Sequence, residues 1–223
     1  MLWVWAVSLP VTILNSPNVN LNYSFPSFGT AADLVGVIMW TIGFLIESIS
    51  DTQKYRFRSN ALNEGRTCDV GLFAWSRHPN YFGEILLQFG IFTLSVSPSS
   101  YGYIPAGTGA YAAQYASVVG AIFLTFLLLF ISGLTLQERP GAKKKFETYG
   151  PDGNEWHQHK SWLDRTSILI PMPQALWTAL PIFVKRTIGF EWPIYVFDPE
   201  KHTDLKKTSQ VREDAEAMRA SAG

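Results

Sequence analysis

Apolar residues fall in four blocks, at about residues 2–14, 31–49, 80–96 and 115–136, with polar or proline-rich stretches between them. The last block, centred on AIFLTFLLLF, carries no charged residue. Its roughly 22 residues match the length a helix needs to cross a hydrocarbon layer. The second block holds Asp33 near its start and Glu47 near its end, then runs on through Asp51, Lys54, Tyr55 and Arg58 at helical spacing. The first block is short for a span and reads as a truncated first helix, as though the chain starts part-way into a longer protein. It has neither the basic start nor the small-residue cleavage site of a signal peptide. The pattern predicts an all-α polytopic transmembrane bundle of about four spans, forming a single membrane domain over residues 1–184. Within it, residues 168–184 are apolar but interrupted by Pro171, Pro173 and Pro181, which predicts an interfacial or re-entrant segment. Residues 15–30 and 98–114 read as loops. Residues 185–223 read as a cytosolic tail, partly disordered, because the chain from Glu200 is charged and free of aromatics.

Composition agrees with a bilayer as partner. Charged residues make up 16% of the chain, against roughly 25% in an average soluble domain. Eight tryptophans and nine tyrosines suit a protein anchored at two membrane–water interfaces. Zero net charge gives no bias toward nucleic acid. A single cysteine, Cys68, excludes an internal disulfide and a zinc-type cysteine cluster, so no metal site is expected. Asn22-Tyr23-Ser24 fits a glycosylation triplet, a pattern that chance often produces.

The basic residues set an orientation. Of 18 Lys and Arg, five lie in 50–80, six in 137–167 and seven beyond 184, and none lies in 15–30 or 98–114. This alternation places 50–80, 137–167 and both termini on the cytosolic side. A cytosol-facing site can therefore draw on all the basic segments at once.

The densest chemistry is GLFAWSRHPNYFGEILLQFG, residues 71–90. Pro79 suits the first turn of a helix, where its missing N–H costs nothing. A helix from there puts Asn80, Glu84 and Gln88 on one stripe with Tyr81 beside them, and such polar groups in a membrane helix face an interior or a wet cavity. Asn80 can both donate and accept, which suits a carboxamide ligand. Glu84 and Tyr81 are the candidates for proton chemistry. His78 is an acid–base candidate or an interface anchor, the second reading being favoured. Arg56, Arg58, Arg66 and Arg77 can hold an anionic cofactor or answer lipid headgroups, the second reading being favoured on composition alone. Glu47 and Asp51 lie one turn apart and can bond ribose or adenine groups, or pair with Lys54 and Arg58. The G-x-G-x-x-A pattern at 107–112 follows no strand and is set aside as a dinucleotide motif.

Taken together, these residues resemble the membrane-embedded steroid 5-alpha-reductase-like family, in its DUF1295 branch. The resemblance rests on Gly43-Phe44-Leu45-Ile46-Glu47 with Asp51, Gln53 and Lys54, on GLFAWSRHPNYFGEIL at 71–86, on Ser132-Gly133 with Leu136 and Glu138, and on Thr166–Pro171. The long 137–167 segment and the ending IYVFDPEKH look similar to fungal members. The resemblance implies a helical bundle that holds NADPH from the cytosolic side, in the endoplasmic reticulum, and reduces an activated carbon–carbon double bond in a steroid-like or fatty enone. It implies that Asn80 faces the nicotinamide carboxamide, that Asp51 and Arg58 bind cofactor, and that Glu84 is the glutamate of the family's NYFGE block. Glu47 stands where the reductases carry Asn, and Tyr55 where they carry another cofactor-binding Arg. The groups that polarise the substrate carbonyl in the reductases lie upstream of the matched region.

Two other readings stay open. The RHP…Y…G block also resembles isoprenylcysteine and phospholipid methyltransferases, which bind S-adenosylmethionine near an Arg-His-Pro and a later Glu; Glu138-Arg139-Pro140 stands about where that Glu falls. The third reading is a non-catalytic membrane protein that keeps the fold without turnover.

Overall fold

The computed structural model describes residues 2–202. Among these residues the secondary structure is helical, with one isolated parallel bridge between Ser76 and Ser167. In chain order the helices are α1 (Leu2–Leu14), α2 (Pro17–Asn20), α3 (Ala31–Ser59), α4 (Pro79–Ser95), α5 (Ser97–Ser100) and α6 (Gly109–Ala116). They continue as α7 (Val118–Phe126), α8 (Leu134–Tyr149), α9 (Asn154–Arg165), α10 (Gln174–Ala179), α11 (Ile182–Thr187) and α12 (Pro199–His202).

Helix α3 begins at a capping box. Thr30 Oγ1 accepts from the Asp33 N–H at 3.0 Å, and Asp33 Oδ2 accepts from the Thr30 N–H at 3.0 Å, so two of the helix's orphan donors are satisfied reciprocally. It then runs unbroken to Ser59, so the second apolar block and the Asp51–Arg58 stretch are one rod. Its main partner is the antiparallel α4. Gly36 and Gly43 on α3 oppose Gly90 and Gly83 on α4. A Cβ on Gly43 would lie 2.5 Å from the Gly83 carbonyl oxygen, and one on Gly90 would lie 2.6 Å from the Trp40 nitrogen. Glycine at both crossings lets the two backbones touch, a device suited to helices that gain little from apolar burial in lipid. Helices α1 and α7 pack alongside this pair.

Two helical runs have the length and hydropathy of a membrane span. Ala31–Ser59 reaches a mean hydropathy of 1.7 and Gly109–Tyr149 reaches 2.4. Only 17% and 33% of those windows are buried within the chain, which leaves apolar faces turned outward. Helix α1 has 13 residues and α4 has 17, short of the roughly 20 that a span needs. The four spans expected from the apolar blocks thus reduce to two that meet the criterion, with α1 and α4 packed beside them.

Other expectations shift as well. The stretch 98–114 is not all loop, because Thr108 caps α6 by accepting from the Tyr111 N–H at 3.2 Å. Gly107–Ala112 runs into the start of α6, and among the described residues no strand precedes it, as a dinucleotide turn would require. The block 115–136 is not one straight helix. After α7 the chain makes a π-helical turn at Leu127–Ile131 and breaks at Ser132–Gly133 before α8. A Cβ on Gly133 would collide with the Leu128 carbonyl, so the break requires glycine there. In the proline-interrupted segment, Ile168 and Leu169 are buried beside Leu134 and Tyr195, while Ile182 and Phe183 are exposed. Backbone bonds from Arg77 to Ser167 and from His78 to Ile168 hold the start of this segment against the residues ahead of α4. Residues 203–223, to which the sequence assigns most of a disordered tail, lie outside the described residues.

Candidate functional site

The segment Ser76–His78 lies alongside Ser167–Leu169. The Arg77 N–H donates to the Ser167 carbonyl at 2.8 Å, the His78 N–H to Ile168 at 3.1 Å, and Ser76 Oγ to Leu169 at 2.8 Å. These bonds fix the backbone just ahead of α4 and bury both side chains. Arg77 is 5% exposed and His78 4%.

A buried ionic group forms around them. Arg77 Nη1 donates to Glu138 Oε2 at 2.5 Å, Arg77 Nη2 to Glu191 Oε1 at 2.5 Å, and His78 Nε2 lies 2.6 Å from Glu138 Oε1. Burial pushes the His78 pKa below its usual value, which favours the neutral ring donating Nε2–H to Glu138. His78 Nδ1 is then an acceptor, and it is buried with no hydrogen-bond partner, as is Arg77 Nε. The His78 ring also stacks on Tyr81, centroids 5.1 Å apart, and the Gln137 amide donates to the Tyr81 hydroxyl.

This group forms part of the wall of a cavity of about 420 Å³ enclosed by the end of α3, the 63–68 turn, α8 and α9. Five cationic side chains line it, Lys54, Arg58, Arg66, Arg77 and Lys145, against two carboxylates, Glu64 and Glu138. Arg77 and Glu138 offset each other, so Lys54, Arg58, Arg66 and Lys145 against Glu64 leave the cavity with an excess of positive charge. Among the described residues Arg58 and Arg66 form no ion pair. Lys145 Nζ donates to Gly65 O at 2.8 Å and Thr67 Oγ1 at 3.0 Å, and His159 Nδ1 meets the same hydroxyl at 3.1 Å. Burial, with the nearby Lys145 charge, lowers the His159 pKa to about 4, so this ring is neutral near pH 7. Burial raises the Cys68 pKa, which keeps that thiol protonated.

A second polar ledge adjoins the cavity across Lys54 and Asp51. Asn80 Nδ2 donates to Asp51 Oδ1 at 3.2 Å, and Asn80 Oδ1 is buried without a partner. Glu47, Asp51 and Glu84 are close enough for their charges to interact.

The sequence-derived residues thus divide into two groups. Arg58, Arg77 and His78 line the cavity, while Asn80, Asp51, Glu47 and Glu84 form the ledge, and Tyr81 bridges to the cavity through Gln137. Arg77 differs from the phosphate-binding role expected for it, because two carboxylates already hold it. Arg56 is exposed and does not line the cavity. Sequence reasoning missed Thr67, Lys145, His159, Trp162 and Glu191. The Trp156, His159, Trp162 spacing on α9 was a readable sign of a buried face; nothing local pointed to Glu191. Among the described residues no group of three or more His, Cys, Asp or Glu is placed to hold a metal ion.

Comparison with known proteins returns one family model, described as a protein of unknown function (DUF1295), over residues 1–151. No curated protein and no solved structure matches.

Proposed function

The chain belongs to the DUF1295 family, and we propose that it is a membrane-embedded reductase that takes NADPH into the basic cavity and reduces a carbon–carbon double bond of a steroid-like or fatty enone. The observation that carries this reading is the cavity itself. Lys54, Arg58, Arg66 and Lys145 converge on a space in which the buried Glu138 is paired with Arg77.

The residues present fit the cofactor. Its phosphates need several cations that are not paired elsewhere, and Arg58 and Arg66 supply them. The volume of about 420 Å³ falls within the range of small-molecule sites, and the Asn80–Asp51 ledge extends it. Asn80 Oδ1 is a buried acceptor without a donor, which suits the N–H of a carboxamide. Bound there, NADPH supplies a hydride to the beta carbon of the enone. The chain's own part is to hold and to shield. Arg58 and Arg66 neutralise phosphate charge, Asn80 orients the reacting ring, and the Tyr81 hydroxyl, fixed by Gln137, stands beside His78 as the proton-handling group. A lipid substrate has an approach from the bilayer along an apolar cleft of about 590 Å³ between Ile42, Ile46 and Ile49 of α3 and Leu72 and Trp75.

The test is titration of NADPH into the full chain in lipid nanodiscs, read by nicotinamide fluorescence. Saturable binding that is lost in Asn80→Ala is expected, and no binding at millimolar cofactor overturns the reading. One observation favours a second reading. Glu138 meets Arg77 and His78 directly, as the Arg-His-Pro and later Glu of S-adenosylmethionine-dependent methyltransferases would require. Thermal stabilisation by S-adenosylmethionine and not by NADPH would select it.

A further inference from the structure

The family match ends at residue 151, yet one of the two carboxylates on Arg77 comes from beyond it. Glu191 sits on a strap, residues 189–197, that crosses back over the ionic group. Tyr195 anchors the strap by donating its hydroxyl to Leu129 O at 2.6 Å. Arg139 holds it from α8, with Nη2 donating to Pro193 O at 2.9 Å and Nε to Val196 O at 3.2 Å. Phe190, Trp192 and Tyr195 pack against the core that contains Leu129, Leu134, Ile168 and Leu169.

The backbone immediately before Glu191 is strained. Phe190 has φ of 59°, and among the described residues it is the one non-glycine with positive φ. An aromatic residue adopts this conformation at a cost, and it persists only where the surroundings determine it. Gly189 is confined too, since a Cβ there would lie 2.5 Å from Lys185 O and 2.8 Å from the Trp177 ring. The Glu191 N–H closes the turn on Lys185 O at 2.9 Å. The turn delivers one carboxylate to Arg77.

We propose that Glu191 is a positioning residue for the cavity: with Glu138 it grips the two terminal nitrogens of Arg77 and fixes the plane of the guanidinium. The wall that carries Nε of Arg77 and Nδ1 of His78, both buried and unpartnered, is thereby set before a ligand arrives. The proposal rests on the cofactor reading above, and it makes the strap beyond the family match part of the binding site. Electrostatics and positioning predict opposite signs here. Removing a negative charge near an anionic ligand tightens binding through space, whereas losing the grip on Arg77 loosens it.

The experiment titrates NADPH into the full chain in nanodiscs, as wild type, Glu191→Ala and Glu191→Gln. A reversibly unfolded fraction raises the apparent Kd in inverse proportion to the competent fraction, so thermal midpoints measured alongside confirm that each variant titrated is folded. Positioning predicts binding weaker by roughly tenfold in Glu191→Ala. Glu191→Gln, which keeps the size and one acceptor oxygen, should fall between, and it decides the matter if the alanine variant does not fold. Unchanged or tighter binding in the variant that decides overturns the role of Glu191 and leaves the cofactor reading standing. Absence of binding by the wild type overturns both.

Discussion

Gly43 and Gly83 face each other where α3 crosses α4, and the carbonyl oxygen of each stands where a Cβ of the other would go, at 2.5 and 2.6 Å. The crossing sits beside the ledge, since a Cβ on Gly83 would also meet the Glu47 nitrogen at 2.7 Å. Replacing Gly43 by leucine must therefore part the helices. The expected cost is roughly 1–3 kcal/mol or somewhat more, seen as a lower thermal midpoint in detergent, and Asn80 should lose its bond to Asp51. A fully stable Gly43→Leu chain would refute the close packing.

Glu138 holds both Arg77 and His78 while it is itself buried. Truncating it leaves a buried arginine with half its compensation and a histidine ring with no partner. Glu138→Ala is expected to destabilise the fold by roughly 3–5 kcal/mol, the usual cost of breaking a buried ion pair from one side. Replacing Arg77, Glu138 and Glu191 together by apolar residues of similar size should cost less, because no charge of the group is then left unpaired. Equilibrium denaturation of the single and triple variants measures the difference.

Acid should destabilise the protein in a defined window. His159 has a folded pKa of about 4, below its ordinary 6.5, and His78 is displaced in the same direction. A histidine kept neutral by the fold binds fewer protons than the unfolded chain, so its contribution is complete above pH 6.5 and is lost as pH falls toward 4. Thermal midpoints measured from pH 7.5 down to about 4 should fall across this window. His159→Asn, which keeps a polar atom for Thr67, should flatten part of that fall.

Arg58 and Arg66 are exposed, unpaired among the described residues, and placed on the cavity wall. Changing either to glutamine should leave stability within about 0.5 kcal/mol, as at most surface sites. The same changes should weaken NADPH binding and reduce its dependence on salt, because a screened charge pair is what they remove. Binding isotherms at two ionic strengths distinguish this from a general loss of fold.

The elements that local pattern determines were legible. Helix α3 could be read through to Arg58 because its apolar and charged positions keep one period, and Pro79 marked the start of α4. The glycines at 36 and 43, and at 83 and 90, share a spacing of seven, a signal of close packing that the sequence offers in retrospect. What could not be read was the meeting of distant segments. Glu191 reaches Arg77 across 114 positions and His159 reaches Thr67 across 92, and neither carries a mark in its own neighbourhood. The Asn80–Glu84 stripe was visible, but its meeting with Asp51 depends on how α3 and α4 pack, which neither segment shows alone.

The break at Ser132–Gly133 has a mechanical meaning. A straight helix of the 41 residues from Gly109 to Tyr149 would measure about 60 Å, twice the depth of a hydrocarbon layer. Bent instead, one piece of backbone serves first as an apolar rod of span-like composition and then, past the joint, as the stretch of cavity wall that bears Glu138, so the two halves can differ in direction as well as in chemistry.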